Sequence, residues 1–215
     1  MGDARLRELE RRWTETQAPA DEAAYLRARL HAGTLTRSQV ELWAYCERPA
    51  ALLALPDPGP APPAQLMRWV EGLERFGRRP CAAAAVAALA FVWPALEALP
   101  PHILEPLARA RVLAEEWVRS PSFAVRSRVD EAAQAVRFEL HDLRSPPDRR
   151  RMNAHHALKA ALDTIVGDGF AARAATCVDL ASPFALSDTR VNLMNIGPSE
   201  ALVRAVRAAV EGLVL

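Results

Sequence analysis

The chain has 215 residues, 51% of them hydrophobic but only 6% aromatic, and its 27 basic side chains are nearly balanced by 26 acidic ones. That length is enough for one large domain or two small ones, with a core that needs no metal or disulfide staple. A net charge near zero gives no global field to gather nucleic acid or an anionic membrane, and an apolar fraction supplied largely by alanine favours packed helices over sheets.

Leu6, Leu9 and Trp13 recur on one face of a first predicted helix, and Tyr25, Leu26 and Leu30 repeat the arrangement after the break at Pro19. The two are expected to pack as a hairpin. Gly33 ends the second, and Thr36-Arg37-Ser38-Gln39 is a capping-box pattern that opens a third through Val40 and Trp43. Pro49 starts a short helix through Leu55, and the string Pro56-Asp-Pro-Gly-Pro-Ala-Pro-Pro63 reads as a linker, since proline rings forbid a regular helix there.

Beyond the linker, Leu66, Trp69, Val70 and Leu73 predict an amphipathic helix to about Phe76. Pro80 to Leu96 is uncharged and nearly half alanine. It is shorter than the roughly 20 apolar residues of a membrane span, so a buried central helix is expected. Pro101 opens the next helix, towards Trp117, and Ser120-Pro121 reads as the cap of another that runs to about Leu140. A second linker is expected at Arg144 to Asp148, then a helix striped by Ala154, Leu158, Ala161, Leu162 and Ile165. Gly167-Asp168-Gly169 reads as a turn. The stretch from Thr176 to Ile196 is irregular, with a short strand at Val191 to Ile196 as an option, before a last helix with Leu202, Val206 and Val210 on one side.

The fold class is therefore all-α: antiparallel helix hairpins stacked in a HEAT-like or an irregular helical array. Tryptophans at 13, 43, 69, 93 and 117, each followed within about a dozen residues by proline, suggest a repeating helical unit and are expected in the core. Three regions are expected: 1–55, 64–143 and 148–215. The segments Glu8-Leu-Glu-Arg-Arg-Trp13, Asp21-Glu-Ala-Ala-Tyr-Leu26, Glu41-Leu-Trp-Ala-Tyr-Cys46 and Pro49-Ala-Ala51 resemble the N-terminal helical part of a group of uncharacterised proteins of GC-rich bacteria, with a fainter likeness from Cys81 to Val136. The resemblance implies a helical, HEAT-like adaptor region and no known activity.

Signatures of chemistry are few. The chain has no G-x-S-x-G elbow, Walker A loop or H-E-x-x-H helix, and Gly167-Asp168-Gly169 lacks the third glycine of a dinucleotide turn. Cys46, Cys81 and Cys177 are odd in number and widely spaced, which fits a reducing cytoplasm and no zinc site. The N-terminus lacks the apolar core of a signal peptide. His141, Asp142, His155 and His156 fall close together, but Arg151 and Lys159 flank His155 at four-residue spacing, so a solvated polar face is expected in place of a metal or acid/base site. The densest charge is Arg149-Arg150-Arg151 with Arg144 upstream, opposing the dipole at a helix start, a cost that an acidic partner would offset. Arg144, Arg149, Arg150, Arg151 and His155 are thus the candidate partner-binding residues. With no cofactor or metal called for, the sequence favours a non-catalytic protein-binding adaptor, regulatory subunit or immunity-type protein. The alternatives are an enzyme or nucleic-acid binder working through 141–156, or a homo-oligomer packed through the alanine-rich helix.

Overall fold

The computed structural model describes residues 2–139, 149–184 and 200–214. Among them are eleven α-helices and no strand, so the fold is all-α. The linker expected at Arg144 to Asp148 and the strand at Val191 to Ile196 lie outside the described residues. The chain forms two compact units that divide between Pro62 and Pro63, inside the proline string.

The first unit holds α1 (Gly2–Thr16), α2 (Pro19–His31), α3 (Arg37–Tyr45) and α4 (Pro49–Ala54). The middle of α2 packs on both α1 and α4, and α3 packs on α4, around Leu26, Val40, Trp43, Ala50 and Ala51. Thr36 caps α3 as its sequence predicts: its hydroxyl accepts from the Gln39 amide while the Gln39 side chain accepts from the Thr36 amide. α2 ends with Gly33 at φ +70°, the Gly33 amide donating to the Leu30 carbonyl and the Thr34 amide to the Arg29 carbonyl, both at 3.1 Å. This is the Schellman ending, and only glycine enters its left-handed position without strain. α3 ends the same way, yet Glu47 occupies that position at φ +63°. The turn delivers Arg48 onto the Trp43 ring at 4.7 Å and into a largely buried ion pair with Glu22 of α2.

In the second unit α5 (Leu66–Glu71) and a 3-10 turn lead into α6 (Arg78–Leu96), followed by α7 (Pro101–Arg119), α8 (Phe123–Glu139), α9 (Arg149–Val166), α10 (Phe170–Ala181) and α11 (Glu200–Glu211). α6 is the hub, packed by α5, α7, α9, α10 and α11. Its run of alanines explains this: small side chains on every face let several helices approach one axis at interior packing density. α6 is also long and apolar enough to cross a membrane, and over half of its apolar window is buried inside the unit. Of the two arrays the sequence left open, this unit is the irregular one, because helices distant in sequence meet on α6, whereas a solenoid joins only neighbours. The helices α9, α10 and α11 belong to one compact unit with α5 to α8.

Two local expectations need correction. Ser120 belongs to the end of α7, its amide donating to the Glu116 carbonyl, and the cap of α8 is Ser122, whose hydroxyl accepts from the Val125 amide at 3.2 Å. Trp43, Trp69 and Trp117 are core residues, but Trp13 and Trp93 are only half-buried, one stacked on Tyr25 at 5.5 Å and the other under the Arg111 guanidinium at 4.7 Å.

Two outcomes follow from these environments. Trp69→Ala should cost about 3–5 kcal/mol in urea unfolding, and Trp93→Ala about half as much, because part of its surface never leaves water. Gly33→Ala should lose about 1 kcal/mol and Glu47→Gly gain a similar amount, since each exchanges a Cβ for its absence at a left-handed position. Equal melting of all four variants would show these assignments to be wrong.

Candidate functional site

The candidate residues collect on α9, whose two ends differ in chemistry. Its first turn carries Arg149 and Arg150, both exposed, and Arg151, half-buried, with exposed Met152 beside them. No acidic residue occupies that turn, so the positive end of the helix dipole and the guanidiniums reinforce one another. The Arg150 guanidinium lies over the Phe184 ring at 5.4 Å, which fixes one of the three in place. Arg144, His141 and Asp142 lie outside the described residues.

His155 is not on a solvated face. It is fully buried, because α9 is packed by α6, α7, α8 and α10 and shows water little of its middle. Burial pushes its pKa down to about 4, helped by the neighbouring charges of His156 and Lys159 and opposed by the Val136 carbonyl of α8. His155 is therefore not available as a contact on the surface, while His156 is exposed. Their rings lie 6.4 Å apart, edge to face.

The far end of α9 holds a polar cluster that the sequence did not single out. Asp163, with a side chain only 3% exposed, accepts from Lys159 Nζ at 2.7 Å and from Arg173 Nη1 at 3.0 Å. Arg173 also donates to the Asp168 carbonyl at 2.7 Å. From α6, Arg78 donates to the carbonyls of Thr164, Ile165 and Gly167 at 3.2, 2.9 and 2.5 Å, and its guanidinium lies over the Phe170 ring at 4.9 Å. Arg126 of α8 adds a bond to the Val166 carbonyl at 3.0 Å. A helix leaves its last four carbonyls without partners, and here Arg78 and Arg126 take those of Thr164, Ile165 and Val166 while the Gly167 amide takes that of Asp163. Burial, and then the nearby Arg126 charge, lower the Arg78 pKa from its ordinary value. Gly167 permits the close approach: a Cβ there would sit 2.9 Å from the Asp163 carbonyl oxygen and 3.3 Å from Arg173 Nε.

Two faint signals in the sequence pointed here. Lys159 and Asp163 are four residues apart, a helical ion-pair spacing, and Arg78-Arg79 stand at the edge of the alanine run. Arg79 serves α7 as Arg78 serves α9, donating to the carbonyls of Val118 and Arg119 at 2.8 and 3.0 Å.

Among the described residues no group of three or more His, Cys, Asp or Glu side chains is placed to hold a metal ion. Burial pushes the Cys81 thiol up to about 12 and raises Cys177 as well, so neither is primed as a nucleophile. The charged groups of the inner cluster are bonded to backbone and to one another. No known protein family, no curated protein and no solved structure matches the chain.

Asp163 yields a test of the inner cluster. Lys159 and Arg173 are 31% and 42% exposed, so loss of Lys159 alone should cost about 1 kcal/mol or less, because the carboxylate keeps its second cation. Lys159→Ala with Arg173→Ala takes both of these cations from a buried carboxylate and should cost about 3–5 kcal/mol, well beyond the sum of the single variants, with part recovered on adding Asp163→Asn. Strict additivity in that cycle would refute the shared role.

Proposed function

We propose that the protein acts by binding another protein, as an adaptor, regulatory subunit or immunity-type protein without catalytic activity, and that the first turn of α9 is its docking surface. The carrying observation is that Arg149 and Arg150 are both exposed in the first turn of α9, a turn with no acidic residue of its own. An acidic segment of a partner is the chemistry that such a turn favours, since it would neutralise both guanidiniums and dipole. Met152 supplies an apolar contact at the same place. The enclosure of α6 by its own unit speaks against the alternative of copies packed through the alanine-rich helix. Cys46, Cys81 and Cys177 are free thiols, all buried, which supports a reducing compartment such as the cytoplasm.

The test turns on Arg149→Glu. An acid in the first turn suits the helix dipole, so the variant should be as stable as the parent or up to about 1 kcal/mol more so. Its affinity for a partner captured from the native host should nonetheless fall roughly tenfold, and the salt dependence of binding should shrink. Unchanged affinity across a salt series would remove this turn from the interface.

A further inference from the structure

His155 and Asp163 lie two turns apart on α9, both buried, with opposite provision for their polar atoms. Asp163 has two cations; neither ring nitrogen of His155 has a hydrogen-bond partner. A neutral imidazole carries one N–H donor and one acceptor lone pair, and buried polar atoms left unbonded are rare in native interiors. Such a residue is harder to keep buried than a leucine of similar size, and harder still once charged.

Among the described residues the surroundings offer the protonated ring only the Val136 carbonyl. On its own helix the charges that act on it are His156 and Lys159, both of the wrong sign when protonated. α8 contributes the Val136 carbonyl, which faces the ring without completing a hydrogen bond. Arg126 of α8, Arg78 of α6 and Arg173 of α10 are cations engaged at the opposite end of α9. Among the described residues no carboxylate of α6, α7, α8 or α10 acts on the ring.

We infer that His155 is an acid-sensitive latch in the packing of α9 against α8: the interior accepts the neutral ring, and the protonated form is stable only after that contact opens. The opening would begin where α9 starts and α8 ends, away from the arginine-capped end. It stands regardless of what Arg149 to Arg151 bind.

The direction of the pH effect is fixed by the ring. In the packed state its pKa is held at about 4, and in the opened state it returns to the ordinary 6.5. Above that range both forms are neutral and the latch is closed. As pH falls through it, the open form gains a proton that the packed form refuses, and the packed state loses ground.

Amide hydrogen exchange on the full chain, corrected for intrinsic rates, reads this directly. Between pH 7.5 and 5 the opening equilibrium of amides in the second half of α8 and the first half of α9 should rise roughly thirtyfold in the parent. It should stay flat in His155→Leu, and His156→Gln should follow the parent. A parent-like rise in His155→Leu, or a rise spread evenly over the second unit, would overturn the latch. Should His155→Leu not fold, ring titration of the parent by NMR decides: a neutral ring in the folded state at pH 5 supports the latch, and protonation near 6.5 without loss of structure rejects it.

Discussion

The second unit depends on how the carbonyl end of α9 is terminated. A helix leaves its last four carbonyls without partners of its own, and where packing screens them from water, leaving them unbonded costs more than their bonds return. Here the last carbonyls of α9 are tied to α6 by Arg78 and to α8 by Arg126, and its Asp163 carboxylate is tied to α10 by Arg173. One chain end thus fixes the position of three other helices. Without the cap, the apolar faces of α6 and α9 would still attract each other, but alanine faces are smooth and would leave their register loose.

Arginine is suited to this work for reasons that its abundance in the sequence hides. A guanidinium has donors in a rigid plane, reaches several carbonyls at once and lies flat on an aromatic ring, as Arg78 does on Phe170 and Arg111 on Trp93. A lysine in either place would supply a point charge with a stronger need for water. The sole lysine, Lys159, sits where one point contact suffices, on a single oxygen of Asp163. All of the chain's Lys and Arg residues but Lys159 are arginines. Their placement shows that many have become structural.

What the sequence revealed follows periodicity and punctuation. Thr36 and Gln39, the proline string at 56–63 and the stripe from Ala154 to Ile165 were legible because each rests on local chain chemistry. α10 was missed: its buried side are Ala171, Ala174, Ala175 and Val178, and alanine on a helix marks a face too weakly to be told from the opposite side. The arrangement around α6 was equally hidden, since an alanine run says that something packs closely and not which helices do. The tryptophan spacing was real in the sequence, but the environments at Trp13, Trp69 and Trp93 differ, because each depends on which distant helix arrives above it. At the candidate site the arginine turn was legible as a charge run. Asp163 was not, because its second cation comes from α10, across the turn at Gly167 to Gly169.

His155 shows most clearly where local reading ends. Spacing placed it between two cations and suggested solvent; packing buried it without giving its nitrogens a partner. Flanking charge describes a helix in isolation, whereas burial is decided by the helices that arrive on all sides, and α9 has four. A buried group without partners is tolerated only where neighbouring contacts outweigh it, and at the far end of the same helix Asp163 and the capped carbonyls supply those contacts. The two ends of α9 are therefore unequal by construction. One is fastened by charge-assisted hydrogen bonds to three helices, while the other combines an outward arginine turn with an unbonded buried imidazole. If His155 opens on protonation as inferred, α9 has a fixed end and a releasable one, and the surface proposed for binding lies at the releasable end.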